Sequence, residues 1–435
     1  MKLNWFGPVP PARTAIADVA RRVAPALRER FDLTVWTDAA EFDPFLVEGV
    51  PVRSCRQPET LWPEANFADY TLYHIGNDAR FHATYAELCE SHRGVVVFHD
   101  FNLLELHRER FLAQENGQQL FERYVLHREG PEAFEKVRRH KEGELPFPEM
   151  VEAIPLIRGM AANATGVISF NPSMIRNLRE LTRAPLLYCP LPVGPEAEIP
   201  EPPRRSFDGS LLELVMFGFL NSPNRRLEEV LKAVAAFEAH QVRLTLFGHI
   251  EEREAFEKLL RHYDLNDRVV FRGFLSVTEM EEVLRSAHLA INLRNPSRGE
   301  SSDALLQAWK HALPMLVTDT GYYATLPEET VFKAQPGDEV RAVREAVAAF
   351  RDNPDAGFAK GRAGNAHLRR HHSAEAFAET LENFLQEAEA YRLRSFAAPF
   401  SRRMGRVVRE DFPEASVRRH LRERVSGELS RWMRD

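Results

Sequence analysis

Residues 292–321 carry the densest chemistry in the chain: Asn292-Leu293-Arg294 at the end of an apolar run, the polar loop Asn295-Pro296-Ser297-Arg298-Gly299-Glu300, and the pair Ser301-Ser302. The apolar run reads as a buried strand. Either serine can cap a helix over 303–311, with Leu305, Leu306 and Trp309 on its buried face, and Pro314 ends that helix before a strand at 315–317. A strand, a loop and a helix start in succession can hold an anion. The first N–H groups of a helix lack internal partners, and the macrodipole favours negative charge there. Gly299 lets backbone approach a ligand, and Arg298 offers a fork of donors. Glu300 would repel a phosphate, so it is expected to face sugar hydroxyls. The alternative is an ordinary loop before a capped helix.

Further candidates follow other strands. Gly218-Phe219-Leu220-Asn221-Ser222-Pro223-Asn224-Arg225-Arg226 places two arginines at a helix start, a combination suited to a diphosphate or, equally, to an exposed helix end. His99-Asp100 directly follows a strand over 94–98; the histidine can meet a sugar hydroxyl or a reacting oxygen, or can be structural. Tyr73-His74-Ile75-Gly76-Asn77 ends the preceding strand in the same way. The first loop begins at Gly7 and brings Arg13-Thr14 to the start of a helix, forming either a wall near phosphate or sugar or a plain turn. No GxGxxG or P-loop fingerprint occurs. No Asp-x-Asp pair or metal-ligand spacing of His or Cys is present, so no metal and no cofactor is expected, and guanidinium groups with helix ends would have to hold any diphosphate.

These loops need strands to carry them. Apolar runs alternate with helical segments at 2–6, 15–31, 33–36, 71–75, 94–98, 166–169 and 186–188, then at 214–217, 242–247, 268–271, 289–293, 315–317 and 331–333. Such alternation predicts parallel α/β sheets of βαβ units. The proline-rich stretch 190–203 separates the two series, giving an N-terminal domain over 1–195 and a second domain over 205–372 with a cleft between the carboxyl ends of their sheets. A charged segment over 106–150 predicts inserted helices, facing an acceptor or simply solvent. Residues 373–435 predict helices that pack back on the first domain and end in a basic tail. From Tyr391 onward there are twelve arginines against six acidic residues. Val417, Leu421, Val425, Leu429 and Trp432 give that tail an apolar stripe, suited to an anionic membrane surface or to packing on the body.

The 435 residues suffice for two cores, and a net charge of -7 argues against nucleic acid as the partner. No apolar run reaches the ~20 residues of a spanning helix, and the opening Met1–Gly7 reads as a strand, not a signal peptide. Cys55, Cys89 and Cys189 read as reduced thiols. The expected location is cytoplasmic, with peripheral contact on the inner face of the membrane through the tail.

Together these stretches resemble the GT-B glycosyltransferases, specifically the retaining family 4 (group 1), over residues 2–390. FGFLNSPNRRLEEVLKA resembles the family's phosphate-binding segment, with Arg225 where lysine is usual. RNPSRGESSDALLQAWKHALPMLVTDTG resembles a bacterial mannosyltransferase-like pattern. GPVPPARTAIADVARRVAPAL, YHIGN and GVVVFHD resemble that sub-branch's first-domain segments. The resemblance implies two Rossmann-like doubly wound domains facing across a cleft, with a GDP- or UDP-linked sugar on the second and a glycan or lipid-linked acceptor on the first. It places Arg225 on the diphosphate with Arg226, Gly299 and the N–H groups of Ser301 and Ser302. Glu300 would meet the donor sugar, Gln307 the ribose, Phe271 and Arg272 the base, and His99 the reacting sugar. Gln307, seven positions after Glu300, stands where the family has a second glutamate at eight. Phe219 replaces an arginine, and Ala15 a glycine. A degenerate subunit, or an epimerase or phosphorylase on this fold, are the alternatives.

Overall fold

A computed structural model describes residues 1–411 apart from 196, 198 and 221, with side chains through 395 except that of Pro223. The apolar runs become the strands of two sheets. The first contains β1 (Lys2–Phe6), β2 (Asp32–Thr37), β3 (Phe45–Val47), β4 (Val50–Ser54), β5 (Tyr70–Ile75), β6 (Val95–Phe98), β7 (Gly166–Ser169) and β8 (Leu186–Tyr188), in the order β3-β4-β2-β1-β5-β6-β7-β8. Only β3 runs antiparallel, against β4. The second contains β9 (Leu212–Phe219), β10 (Val242–His249), β11 (Val269–Phe271), β12 (Leu289–Asn292), β13 (Met315–Thr318) and β14 (Phe332–Ala334), all parallel, in the order β11-β10-β9-β12-β13-β14. Strands β6, β7, β12 and β13 are buried at every residue, which is why they read as unbroken apolar runs.

In each sheet the chain reverses its direction of travel beside the first strand, between β1 and β5 and between β9 and β12. Ligands bind outside the carboxyl ends of strands at such switch points. The loops after β1, β5, β6, β9 and β12 therefore define the place to look.

The segment between β6 and β7 forms five helices, the last Arg158–Asn163, and the first four, Leu104–Leu112, Gly117–Glu129, Pro131–Lys141 and Phe147–Ala153, surround their own small core of Leu104, Phe121, Val125, Val137 and Met150. Much of its charge is solvated: exposed Arg138 pairs with Glu135 and Glu142. The last helix, Ala374–Asp411, lies against the first domain, where Phe384 and Ala388 pack beside Gly166 and Glu382 pairs with Arg30 at 2.5 Å. No described helix is long and apolar enough to cross a membrane. The stripe from Val417 to Trp432 lies outside the described residues.

Candidate functional site

Strand β9 delivers Gly218 at φ +105°, where a Cβ would sit 2.8 Å from Arg225 Nη2. Glycine there lets the guanidinium fold under the loop. Arg225 donates from Nη2 to the Phe217 carbonyl at 3.0 Å, from Nε to the Phe219 carbonyl at 3.1 Å, and from Nη1 to Asn292 Oδ1 at 2.6 Å. Asn292, at the end of β12, donates in turn from Nδ2 to Ser302 Oγ at 2.9 Å. Ser302 caps the helix Asp303–Lys310, its Oγ accepting from the Leu305 N–H at 3.2 Å. One buried asparagine thus joins the arginine loop to the helix start.

The arginines do not stand free, as the sequence reading expected of a diphosphate clamp. Arg225 is 8% exposed and spends three N–H groups inside the protein. Burial, and then neighbouring Arg294, lower its pKa to about 10, so it stays charged at neutral pH. Arg226, at φ +56° before the helix Leu227–Ala235, pairs with Glu229 at 2.8 Å. Arg225 contributes positive field beneath the loop, while Arg226 is matched by Glu229 and by Glu339 at 3.8 Å. The donors left for a ligand are the N–H groups at the helix start ahead of Leu305, whose own N–H is taken by the Ser302 cap.

Arg294, not singled out in the sequence, is the partner of Glu300. Its Nη1 lies 2.7 Å from Glu300 Oε1, and its guanidinium lies over the Tyr323 ring at 5.8 Å. The second Glu300 oxygen accepts from the Arg298 N–H at 2.7 Å. Burial works against ionisation of Glu300, but Arg294 and these N–H contacts outweigh it and hold the pKa below the usual range. Glu300 is therefore an oriented carboxylate, each oxygen with one partner and a lone pair left for a hydroxyl.

The first domain brings three histidines together. His74 Nδ1 and His99 Nε2 are 2.9 Å apart, His82 Nδ1 bonds the His74 carbonyl at 3.1 Å, and His74 stacks on Trp5 at 3.8 Å. Burial, then His82, lowers His99 to about 3, so the ring is neutral. His74 Nε2 is buried without a partner. A bare lone pair is cheaper to bury than an N–H, which assigns the shared proton to His74 and leaves Nδ1–H on His99 as a donor. Asp100, which accepts from the Asn77 N–H at 2.9 Å, is raised to about 6 by burial and by the charge of Glu300 on the other domain.

The two halves meet through the 298–303 loop. Phe101 N–H donates to the Arg298 carbonyl at 3.2 Å and Asn171 Nδ2 to the Gly299 carbonyl at 2.9 Å. Arg298 pairs with Glu105 at 3.1 Å, and Arg22 with Asp303. Gly299 has φ +86°, and a Cβ there would run into Phe101, so this glycine serves closure between domains. Gln307 is buried and its amide reaches back to Asp303 at 3.4 Å, beside the Arg22 pair, so its contacts are those of the domain joint.

Phe271, expected at the base, is half-buried and meets Phe256 at 6.0 Å with Arg253 over its ring at 4.8 Å. Arg272 is exposed. Phe274, three residues on and 60% exposed, instead meets His249 at 6.1 Å, and Arg13 of the first domain lies over its ring at 5.6 Å. Thr14 caps the helix Ala15–Arg28 and Gly7 is buried, its N–H on the Trp36 carbonyl at 3.1 Å. Phe274 could have been noticed in the sequence as an apolar residue just past a strand end.

The fold is GT-B. Residues 212–353 match the family model described as glycosyl transferases group 1. No curated protein matches the sequence. The chain resembles the sucrose-phosphate synthase of Thermosynechococcus elongatus at TM-score 0.60 and 16% identity, over 89% of this chain and 99% of that one. Anabaena Alr3699/HepE in complex with UDP is similar at TM-score 0.60 and 14% identity, over 89% and 100%. WaaG, a glycosyltransferase involved in lipopolysaccharide biosynthesis, is similar at TM-score 0.57 and 11% identity, over 88% and 99%.

Proposed function

We propose that this protein transfers a hexose, mannose favoured, from a nucleoside diphosphate sugar to a glycan or lipid-linked acceptor, with retention of configuration and without a metal. One observation carries the reading: Asn292 holds Arg225 on one side and the Ser302 helix start on the other, making a single anion-directed corner at the switch point of the second sheet. The family match over 212–353 and the UDP bound to one structural neighbour agree with it.

In this mechanism the acceptor oxygen bonds the anomeric carbon on the face that the diphosphate leaves, and the departing phosphate oxygen takes the acceptor proton. The charge that develops on the diphosphate meets the field of Arg225 and the first-turn N–H groups. Glu300 accepts from sugar hydroxyls, and neutral His99 donates to one beside the reacting carbon. Glu300 is turned to Arg294 and the Arg298 N–H and Asp100 to the Asn77 N–H, neither stands out as a nucleophile on the sugar, and same-face transfer follows the family resemblance. The interlocked loop would exclude water from the reaction.

Titration of the full chain with GDP-mannose and UDP-glucose, followed by nucleotide release with acceptor pools, tests the proposal; no binding of either sinks it. The internal bonds of Arg225 favour a second reading, a GT-B subunit without activity. That reading expects no nucleotide release with any acceptor. An epimerase would convert the sugar nucleotide with no acceptor present.

A further inference from the structure

Strands β12 and β13 pair in parallel, with Asn292 beside Val317, so the loops that follow them leave the sheet side by side. The first loop carries Arg294, whose N–H donates to Thr318 Oγ1 at 3.0 Å. The second turns at once into the short helix Gly321–Ala324, which carries Tyr323. Gly321 has φ +54°, and a Cβ there would run into Ser297, so the two loops are pressed together. Tyr323 is 2% exposed, and Arg294 lies over its ring at 5.8 Å. The Tyr323 hydroxyl and Arg294 Nε are both buried with no hydrogen-bond partner among the described residues. What holds the guanidinium is Nη1, on Glu300 Oε1 at 2.7 Å and on the Ser301 carbonyl at 3.4 Å, together with the ring. Both polar contacts use one nitrogen, so by themselves they leave the plane of the group free to turn.

We infer that Tyr323 is a positioning residue for recognition of the donor sugar: its ring fixes the plane of Arg294, and Arg294 aims the Glu300 carboxylate. The inference rests on the transferase reading above. An aromatic face attracts a cation, the more so when both are out of water. Arg294 needs that hold, because Arg225 is a like charge buried in the same corner. Without the ring the guanidinium could swing toward solvent, and Glu300 would lose the partner that keeps it ionised against burial. Its oxygens would then no longer be set for sugar hydroxyls. The phenol makes no hydrogen bond, so the face of the ring acts and the hydroxyl does not. The diphosphate is met elsewhere, by Arg225 and the helix start. Tyr323 therefore sets how much the sugar adds to binding, over and above the nucleotide.

The test is calorimetric titration of the full chain with UDP, UDP-glucose, GDP and GDP-mannose, read as the Kd of the nucleotide divided by that of its sugar conjugate. In Tyr323→Phe this ratio should stay within about twofold of wild type, and in Tyr323→Leu it should fall about tenfold. Should Tyr323→Leu fail to fold, Arg294→Lys, which lacks the planar fork, should show the same fall, and an unchanged ratio there counts against the inference. Glu300 faces Arg294 and Arg225 within its domain, the Arg298 N–H in its own loop and Asp100 of the first domain. With Arg294 loosened, burial and Asp100 raise the carboxyl, so the Tyr323→Leu ratio should drop further than that of wild type between about pH 7 and pH 5. A Tyr323→Leu ratio like that of wild type, an equal fall in Tyr323→Phe, or a fall without the added pH dependence overturns the inference. If the wild type binds no nucleotide sugar, the transferase reading falls instead. The positioning role then shows in the carbon-13 signal of the Glu300 carboxyl, assigned with Glu300→Gln. That signal should titrate at higher pH in Tyr323→Leu than in wild type and Tyr323→Phe, and coincident titrations overturn the inference.

Discussion

Asn292→Asp changes one atom type at the joint of the proposed anion corner and separates its structural role from its electrostatic one. Asn292 is 3% exposed, with Arg225 Nη1 at 2.6 Å on Oδ1 and Ser302 Oγ at 2.9 Å from Nδ2. An aspartate keeps the shape, turns the charge-assisted Arg225 bond into an ion pair, and lets the Ser302 hydroxyl turn and donate. The fold should therefore survive with a melting temperature within about 5 °C of wild type. A bound diphosphate would feel a new negative charge. At a separation of about 6 Å and an effective dielectric near 20, the repulsion is roughly 3 kcal/mol, or about a hundredfold in Kd. Asn292→Ala should behave differently, leaving a guanidinium N–H and the serine without partners and costing about 3–5 kcal/mol of stability. Calorimetric titration with UDP and GDP, beside denaturant unfolding of both variants, reads the two effects. A stable Asn292→Asp protein that binds nucleotide like wild type refutes the anion corner.

Asp100 sits near pKa 6 through burial and the charge of Glu300. A raised acid contributes stability fully below its ordinary value of about 3.9 and loses it as pH climbs through about 6, so Asp100→Asn should gain on wild type by about 2 kcal/mol between pH 4 and pH 8 in denaturant unfolding; a constant difference contradicts this. Arg22→Ala breaks the part-buried pair with Asp303 across the domains. It should weaken closure by about 1–3 kcal/mol, visible as a larger radius of gyration in X-ray scattering; an unchanged radius contradicts this. A chain ending at residue 393 should float less with anionic liposomes than the full chain, and equal flotation removes the membrane role of the tail.

The alternation of strands and helices was readable because a parallel strand buried on both faces is an unbroken apolar run, as Val95–Phe98 is and Leu289–Asn292 is up to its last residue. The hairpin of β3 and β4 escaped because three and five residues at a sheet edge, mostly part-buried or exposed, carry too little pattern. The Ser302 cap was legible, since capping depends on local residue type. The duties of Asn292 and Asp303 were not, because each is set by a partner far away in the chain or on the other domain, and that of Arg294 was not because only the fold of its loop turns it onto Glu300. Motif position put Arg225 on the ligand, but its contacts put it under the loop, and no local signal distinguishes a guanidinium that points out from one that folds in.

Titration calorimetry of the full chain with GDP-mannose, UDP-glucose, GDP, UDP and free mannose addresses the central claim most directly. Binding of at least one nucleotide sugar and its parent nucleotide, with none of mannose alone, is the expected result, because the diphosphate should supply most of the grip. No heat with any nucleotide, or equal binding of the free sugar, would contradict the account.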